Sequence, residues 1–139
     1  MRVNRRKIRI EWGDCDPIGI VWYPNYFGMF DAGTHYLFES VGLTRAELKR
    51  RFGVAGMPIV DTGAKFILPS ATDDDIEMES KVVAWNRSSF RVEHRAYRGD
   101  KLALEGFEVR VTVRQDADEP DAIKAMSVPP EVVAMLRRA

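Results

Sequence analysis

The sequence predicts an α+β domain in which an antiparallel sheet packs on one long helix. Three observations carry this. The apolar positions between Tyr23 and Gly42 recur at helical spacing, those after Pro58 alternate with a period of two, and one alternating stretch stands ahead of the helix. The order is therefore strand, helix, four strands. At 139 residues the chain has room for one domain with a real core, and residues 1–139 read as a single domain.

The elements follow in order. Residues 5–12 alternate, with Ile8, Ile10 and Trp12 opposite Lys7, Arg9 and Glu11, and predict a half-buried strand. Asp14 to Gly19 reads as a loop punctuated by Pro17 and Gly19. The helix starts at Tyr23-Pro24, since proline in a first turn lacks only an N–H that would be unpaired there. Phe27, Phe30, Thr34, Leu37, Phe38 and Val41 form its buried stripe, and Gly42 suits its stop. Gly28 and Gly33 inside it each cost about 1 kcal/mol relative to alanine, so both are expected where the sheet presses closely on the helix. Residues 44–52 predict a short second helix.

Strands follow at 58–68, 75–85, 88–98 and 101–114, the last two joined by a hairpin turn at Arg98-Gly99-Asp100. Ile76, Met78 and Val82 share a face, as do Phe90, Val92, His94 and Ala96, and Val109, Val111 and Val113. The tail PPEVVAMLRRA predicts a short helix from Pro130, with Arg137 and Arg138 at its favourable C-terminal end. One helix cannot cover both faces of such a sheet, so a homo-oligomer, a dimer or larger, is expected.

Composition narrows the function classes. A hydrophobic share of 45% and a charged share of 30% belong to a globular domain. Lys+Arg and Asp+Glu both number 21, and this balance argues against a general binder of nucleic acid or anionic membranes. No apolar run has the length of a membrane span. The basic N-terminus passes directly into strand-like alternation with no apolar signal-peptide core, so a cytoplasmic location is expected. The single cysteine, Cys15, cannot form an internal disulfide, and no zinc-ligand set accompanies it.

The chemistry concentrates in WGDCDPIGIVWYPNYF, residues 12–27. Asp16 stands just ahead of the predicted helix N-terminus, where unpaired N–H groups carry partial positive charge. A carboxylate beside such donors can split an acyl bond: it attacks the carbonyl or activates water while the N–H groups hold the oxyanion. An Asp before a helix is more often only a cap, and D-x-D-P turns need no function. Asp14 reads as turn architecture and Cys15 as a packed bystander. His35 and His94 read as satisfied structural histidines.

"GDCDPIGIVWYPNYF", with "FDAG" at 30–33 and "WNRSSF" at 85–90, resembles the hot-dog-fold acyl-CoA thioesterases, and within them the hydroxybenzoyl type. The resemblance runs from about residue 5 to residue 114. It implies a five-stranded antiparallel sheet wrapped around one long helix, subunits paired edge to edge, and dimers assembled into tetramers. It implies hydrolysis of an aromatic acyl-CoA, first of all 4-hydroxybenzoyl-CoA, with no cofactor beyond the coenzyme A carried by the substrate. Asp16 takes the place of the catalytic carboxylate, and the Tyr23 backbone N–H would polarise the thioester carbonyl. Asp31 matches an acidic position near the acyl group that accepts a hydrogen bond from a phenolic hydroxyl. Trp22, Tyr23 and Tyr26 would wall an aromatic pocket.

Arg87, Ser88 and Ser89 would bind the CoA phosphates. The run after Trp85 is less basic than in hydroxybenzoyl-type enzymes, which leaves Arg50 and Arg51 as substitutes. Aspartates are weak general bases near neutrality, which favours nucleophilic attack and a short-lived mixed anhydride. Two rivals stand: a thioesterase for another aryl or short-chain acyl-CoA, and a non-catalytic module that binds CoA esters. Hot-dog hydratases use an Asp five residues ahead of a His, and neither His35 nor His94 has one, so hydration of an enoyl-CoA is not expected.

Overall fold

The computed structural model describes residues 1–138. Strand β1 (Asn4–Arg9) precedes helix α1 (Pro24–Glu39), helix α2 (Arg45–Phe52) and strands β2 (Ile59–Phe66), β3 (Asp75–Trp85), β4 (Ser89–Arg98) and β5 (Lys101–Val111). A small hairpin, β6 (Val113–Gln115) with β7 (Ile123–Ala125), and helix α3 (Pro130–Arg137) close the chain. The large sheet is antiparallel in the order β1-β3-β4-β5-β2, and α1 lies across its inner face. This is the hot-dog arrangement implied by the resemblance. The β4–β5 turn falls at Gly99, whose φ of +65° suits glycine.

The first strand ends earlier than its alternation suggests. Ile10 is fully buried, but Trp12 is 85% exposed and belongs to a 3-10 turn, Trp12–Asp14. The Asp14 carboxylate accepts the Glu11 N–H at 2.8 Å and bends the chain away from the sheet at that point. The last long strand also stops early, at Val111. Val109 and Val111 are half-buried on the outer face, and the buried side chains of that stretch are Glu108 and Arg110.

The apolar core consists of two clusters at opposite ends of the sheet. One holds Ile10, Tyr26, Phe30, Ile76, Met78 and Leu104, and the other Leu37, Phe38, Leu48, Val82, Phe90 and Leu136. Between them runs a polar belt of Thr34, Ser80, His94, Glu108 and Arg110, all buried. Thr34 stands between Phe30 and Leu37 on α1, Ser80 between Met78 and Val82 on β3, and His94 between Val92 and Ala96 on β4, while β5 contributes both Glu108 and Arg110. Gly33 lets α1 approach this belt: a Cβ there would sit 2.7 Å from Ser80 Oγ and 3.3 Å from His94 Nδ1. At Gly28 nothing lies within 4 Å of the corresponding position, so close packing within the chain explains only one of the two helix glycines.

Candidate active site

The segment from Asp14 to Trp22 is a loop with its two arms tied together. The Asp14 carbonyl accepts the Trp22 N–H at 2.9 Å and Asn25 Nδ2 at 2.9 Å, Cys15 and Val21 form an antiparallel bridge, and the Asp16 N–H donates to the Ile20 carbonyl at 2.9 Å. Gly19, at φ +92°, makes the reversal and donates to the Asp16 carbonyl at 2.9 Å. Asp14 is thus turn architecture. The half-buried Asp16 side chain accepts the Ile18 N–H on Oδ1 at 2.9 Å, and its Oδ2 makes no hydrogen bond among the described residues. Cys15 Sγ sits 3.4 Å from Thr72 Oγ1 and takes no part in this arrangement.

Because Trp22 is clamped to Asp14, Tyr23 follows at a fixed place as the N-cap of α1, with Pro24 next. Pro24 has no N–H, and the Asn25 and Tyr26 N–H groups bond to the Trp22 and Tyr23 carbonyls. The Tyr23 N–H has no partner among the described residues. It is an unpaired donor at the positive end of a sixteen-residue helix, on the same closed loop as the Asp16 carboxylate.

Aromatic rings flank this donor. The Tyr23 ring lies edge-on to Trp22 at 6.5 Å and to Phe66 at 6.4 Å, and Tyr26 meets Phe66 at 5.9 Å. A cavity of about 240 Å³ opens here, lined by Ile20, Val21, Tyr23, Tyr26, Phe66 and Leu68 among others. Tyr26 is buried, whereas Trp22 is exposed and does not line this cavity. Phe66 was not singled out from the sequence: it is one apolar residue in an alternating strand, and only the β2–β5 pairing carries it to the head of α1.

Asp31 lies on α1 about 12 Å along the axis from Tyr23. Its Oδ1 accepts Arg110 Nη2 at 2.7 Å and lies 3.6 Å from His35 Nε2. Arg110 in turn reaches Glu108 through Nε (3.2 Å) and Nη2 (2.9 Å) and the Met57 carbonyl through Nη1 (2.9 Å). Glu108 also accepts from Thr34 and from His94 Nε2 (3.1 Å), and His94 Nδ1 faces Ser80 Oγ at 2.8 Å. Burial pushes the Glu108 carboxyl up, but the hydrogen bonds from His94, Arg110 and Thr34, with the Arg110 charge, outweigh it and bring the pKa down to about 2.

Ser80, His94 and Glu108 have the connectivity of a nucleophile, base and acid. All three are at most 1% exposed, so no substrate reaches Ser80, and the group is a structural clamp. His94 is therefore the satisfied core histidine its position suggested.

Arg87 and Ser88 lie in the β3–β4 turn and Ser89 opens β4, at the opposite end of an eleven-residue strand from the Asp16 loop. That is a separation of about 33 Å, so one chain does not bring them to Asp16. Arg87 is exposed and forms no ion pair among the described residues, and the Ser88 carbonyl accepts the Thr112 N–H. Arg50 and Arg51 are engaged by Glu47 (2.7 Å) and Glu131 (2.6 Å).

The family model of the thioesterase-like superfamily matches residues 10–136. The chain belongs to that superfamily. A curated relative, the 4-hydroxybenzoyl-CoA thioesterase of Pseudomonas sp. strain CBS-3, is 36% identical over 134 residues, 91% of this chain and 92% of that protein. Among solved structures, an Asp-to-Asn mutant of 4-hydroxybenzoyl-CoA thioesterase complexed with 4-hydroxybenzoyl-CoA superposes with a TM-score of 0.89 at 33% identity, covering 98% of this chain and 99% of that one. A gentisyl-coenzyme A thioesterase gives a TM-score of 0.81 at 25% identity, over 97% of this chain and 100% of that one. This thioesterase is thus a thioester hydrolase of the hot-dog fold, and among its described residues no helix is long and apolar enough to cross a membrane.

Proposed function

We propose that this thioesterase hydrolyses an aromatic acyl-CoA, with 4-hydroxybenzoyl-CoA as its first candidate, to the free acid and CoA. What supports the reading is a tied loop that carries the Asp16 carboxylate and leads directly into an unpaired helix-terminal donor, the Tyr23 N–H, with the Tyr23 ring lining an aromatic-walled cavity. Likeness to aryl-CoA thioesterases over nearly the whole chain supports the substrate class. In this reading the thioester carbonyl oxygen points at the Tyr23 N–H. Asp16 attacks the carbonyl carbon, negative charge gathers on the oxygen against that N–H, and the tetrahedral species collapses as the CoA thiolate leaves. Water then cleaves the mixed anhydride, and the free acid and the Asp16 carboxylate are restored. The aromatic walls and Asp31 take the acyl ring and its hydroxyl.

Asp16→Asn is expected to lower kcat by on the order of 10³ while changing KM by only a few-fold. Near-normal turnover in this variant removes Asp16 from the chemistry. Thiol release from a panel of 4-hydroxybenzoyl, benzoyl, phenylacetyl and short aliphatic CoA esters tests the substrate, with the first expected to give the highest kcat/KM. Tight binding of every ester without thiol release would overturn the enzymatic reading. After many turnovers in ¹⁸O-water, label in the peptide containing Asp16 marks the anhydride route, and label in the product acid alone favours direct attack by water.

A further inference from the structure

We infer that Arg110, clamped by Glu108, is a positioning residue that holds the Asp31 carboxylate as a fixed acceptor for a hydrogen-bond donor at the distal end of the acyl group, and so sets selectivity for hydroxylated over unsubstituted aryl esters. The inference rests on the proposed placement of the acyl ring along α1 and deepens it. Arg110 has a side chain only 3% exposed, yet it bonds Asp31, whose side chain is 52% exposed. Its guanidinium makes contacts in three directions, to Glu108, to the Met57 carbonyl and to Asp31 Oδ1, so its plane has no freedom to turn. Glu108 is fixed in turn by Thr34 and His94, and His94 faces Ser80. A rigid chain therefore runs from the middle of the core to one carboxylate at the surface.

Burying Glu108 and Arg110 requires desolvating both, and an apolar layer of equal volume would hold the two core clusters together at least as well. What an apolar layer would not supply is a carboxylate held in one place. Asp31 Oδ1 is committed to Arg110, while Oδ2 makes no hydrogen bond among the described residues and remains an acceptor. Both side chains that Asp31 touches, Arg110 and His35, line a second cavity of about 640 Å³, with Leu48, Val54, Met57 and Pro58 among its other walls. Side chains on a helix lean toward its N-terminus, so the Asp31 carboxylate is closer to Tyr23 than the axial rise alone gives. An aryl ring whose carbonyl meets the Tyr23 N–H then points its distal end at Asp31. A hydroxyl there donates to Oδ2, and a bare ring covers Oδ2 without giving it a donor.

The test is the ratio of kcat/KM for 4-hydroxybenzoyl-CoA to that for benzoyl-CoA, in wild type, Arg110→Lys, Asp31→Ala and the double variant. Lysine keeps the charge and loses the fork, so Arg110→Lys is expected to lower the ratio by roughly tenfold. Asp31→Ala should lower it at least as far, and Arg110→Lys should add nothing on that background. An equal fall for both esters, or independent effects in the double variant, shows a merely structural Arg110 and overturns the proposal. Wild-type protein with no preference between the esters overturns the Asp31 placement and the proposal with it. A wild-type preference that persists in Arg110→Lys overturns the positioning role alone. Should Arg110→Lys not fold, Thr34→Val removes one bond to Glu108 and leaves Arg110 in place. The ratio should then fall a few-fold, and a wild-type ratio in that variant overturns the proposal.

Discussion

At the scale of single residues, Glu108 ties stability to pH. Its carboxyl lies at about 2 in the folded chain against an ordinary value of 4.5, so the unfolded chain takes up its proton first as pH falls. The stabilisation is present in full above about pH 4.5 and is lost as pH drops toward 2, a change of about 3 kcal/mol by linkage. Urea midpoints for wild type and Glu108→Gln should therefore differ widely at pH 7, draw much closer by pH 3 and meet only as pH falls through about 2. The wide gap reflects Arg110, which the variant leaves buried without its main counter-charge, a defect of about 3–5 kcal/mol. A gap that stays constant from pH 7 to pH 3 would show that Glu108 is not ionised in the fold. The sequence hid this group for a definable reason. Alternation in 101–114 gives a period of two but not its phase, and Val109 and Val111 made the valine face look like the inner one. Glu108 and Arg110 face inward because Thr34, His94 and Asp31 arrive from other elements to satisfy them. The turn from Asp14 to Pro24 was legible because most of its ties are local, the exceptions being the Val21 N–H to the Ser70 carbonyl and the Ile20–Ala71 bridge.

At the scale of elements, α1 shows how far local pattern reaches. Its start at Pro24, the turn after it and the stripe positions Phe30, Thr34, Leu37 and Phe38 were readable, because capping and helical period are properties of consecutive residues. Phe27 and Val41, by contrast, are only half-buried, and Tyr26 takes a buried place the stripe did not include. Which glycine mattered was not readable, since the answer lies in β3 and β4. The two helix glycines should respond to alanine with opposite signs. Gly33→Ala forces a Cβ against a Ser80 hydroxyl already held by His94, and should destabilise by about 1–3 kcal/mol. Gly28→Ala meets nothing and should stabilise by about 0.5–1 kcal/mol, visible as a Tm several degrees higher. Thermal unfolding of the two variants checks this, and a destabilising Gly28→Ala would mean that a second molecule packs against that position. The β6–β7 hairpin escaped the sequence because three-residue strands are too short to show a period. Trp12 was misplaced because a side-chain contact from Asp14, not the alternation, ends β1.

At the scale of the molecule, the two edges of the sheet differ. The β1 edge reads NRRKIR and exposes Arg5, Lys7 and Arg9, charges that discourage another strand from pairing there. The β2 edge is eight residues long and exposes Ile59, Val60 and Phe66, with Ile67 just beyond. Asp61, Thr62 and Lys65 are exposed between these apolar ends, so the edge is only partly guarded and its apolar ends call for a cover. A second copy would supply one by pairing β2 with β2 about a two-fold axis, which would join two five-stranded sheets into one of ten strands. Antiparallel pairing sets the Phe66 end of one β2 against the Ile59 end of the other. Each Asp16–Tyr23 loop would then have the partner's Met57–Ile59 segment beside it, which makes assembly and turnover inseparable. Val60, 63% exposed on this edge, is the position to change. In that register Val60→Lys sets a second positive charge opposite the partner's Lys65, and sedimentation velocity should show the wild-type dimer or tetramer reduced to a smaller species, with thiol release falling in proportion to the dissociated fraction. A wild-type monomer with full activity would overturn this assembly, and so would a Val60→Lys variant that keeps both its mass and its turnover.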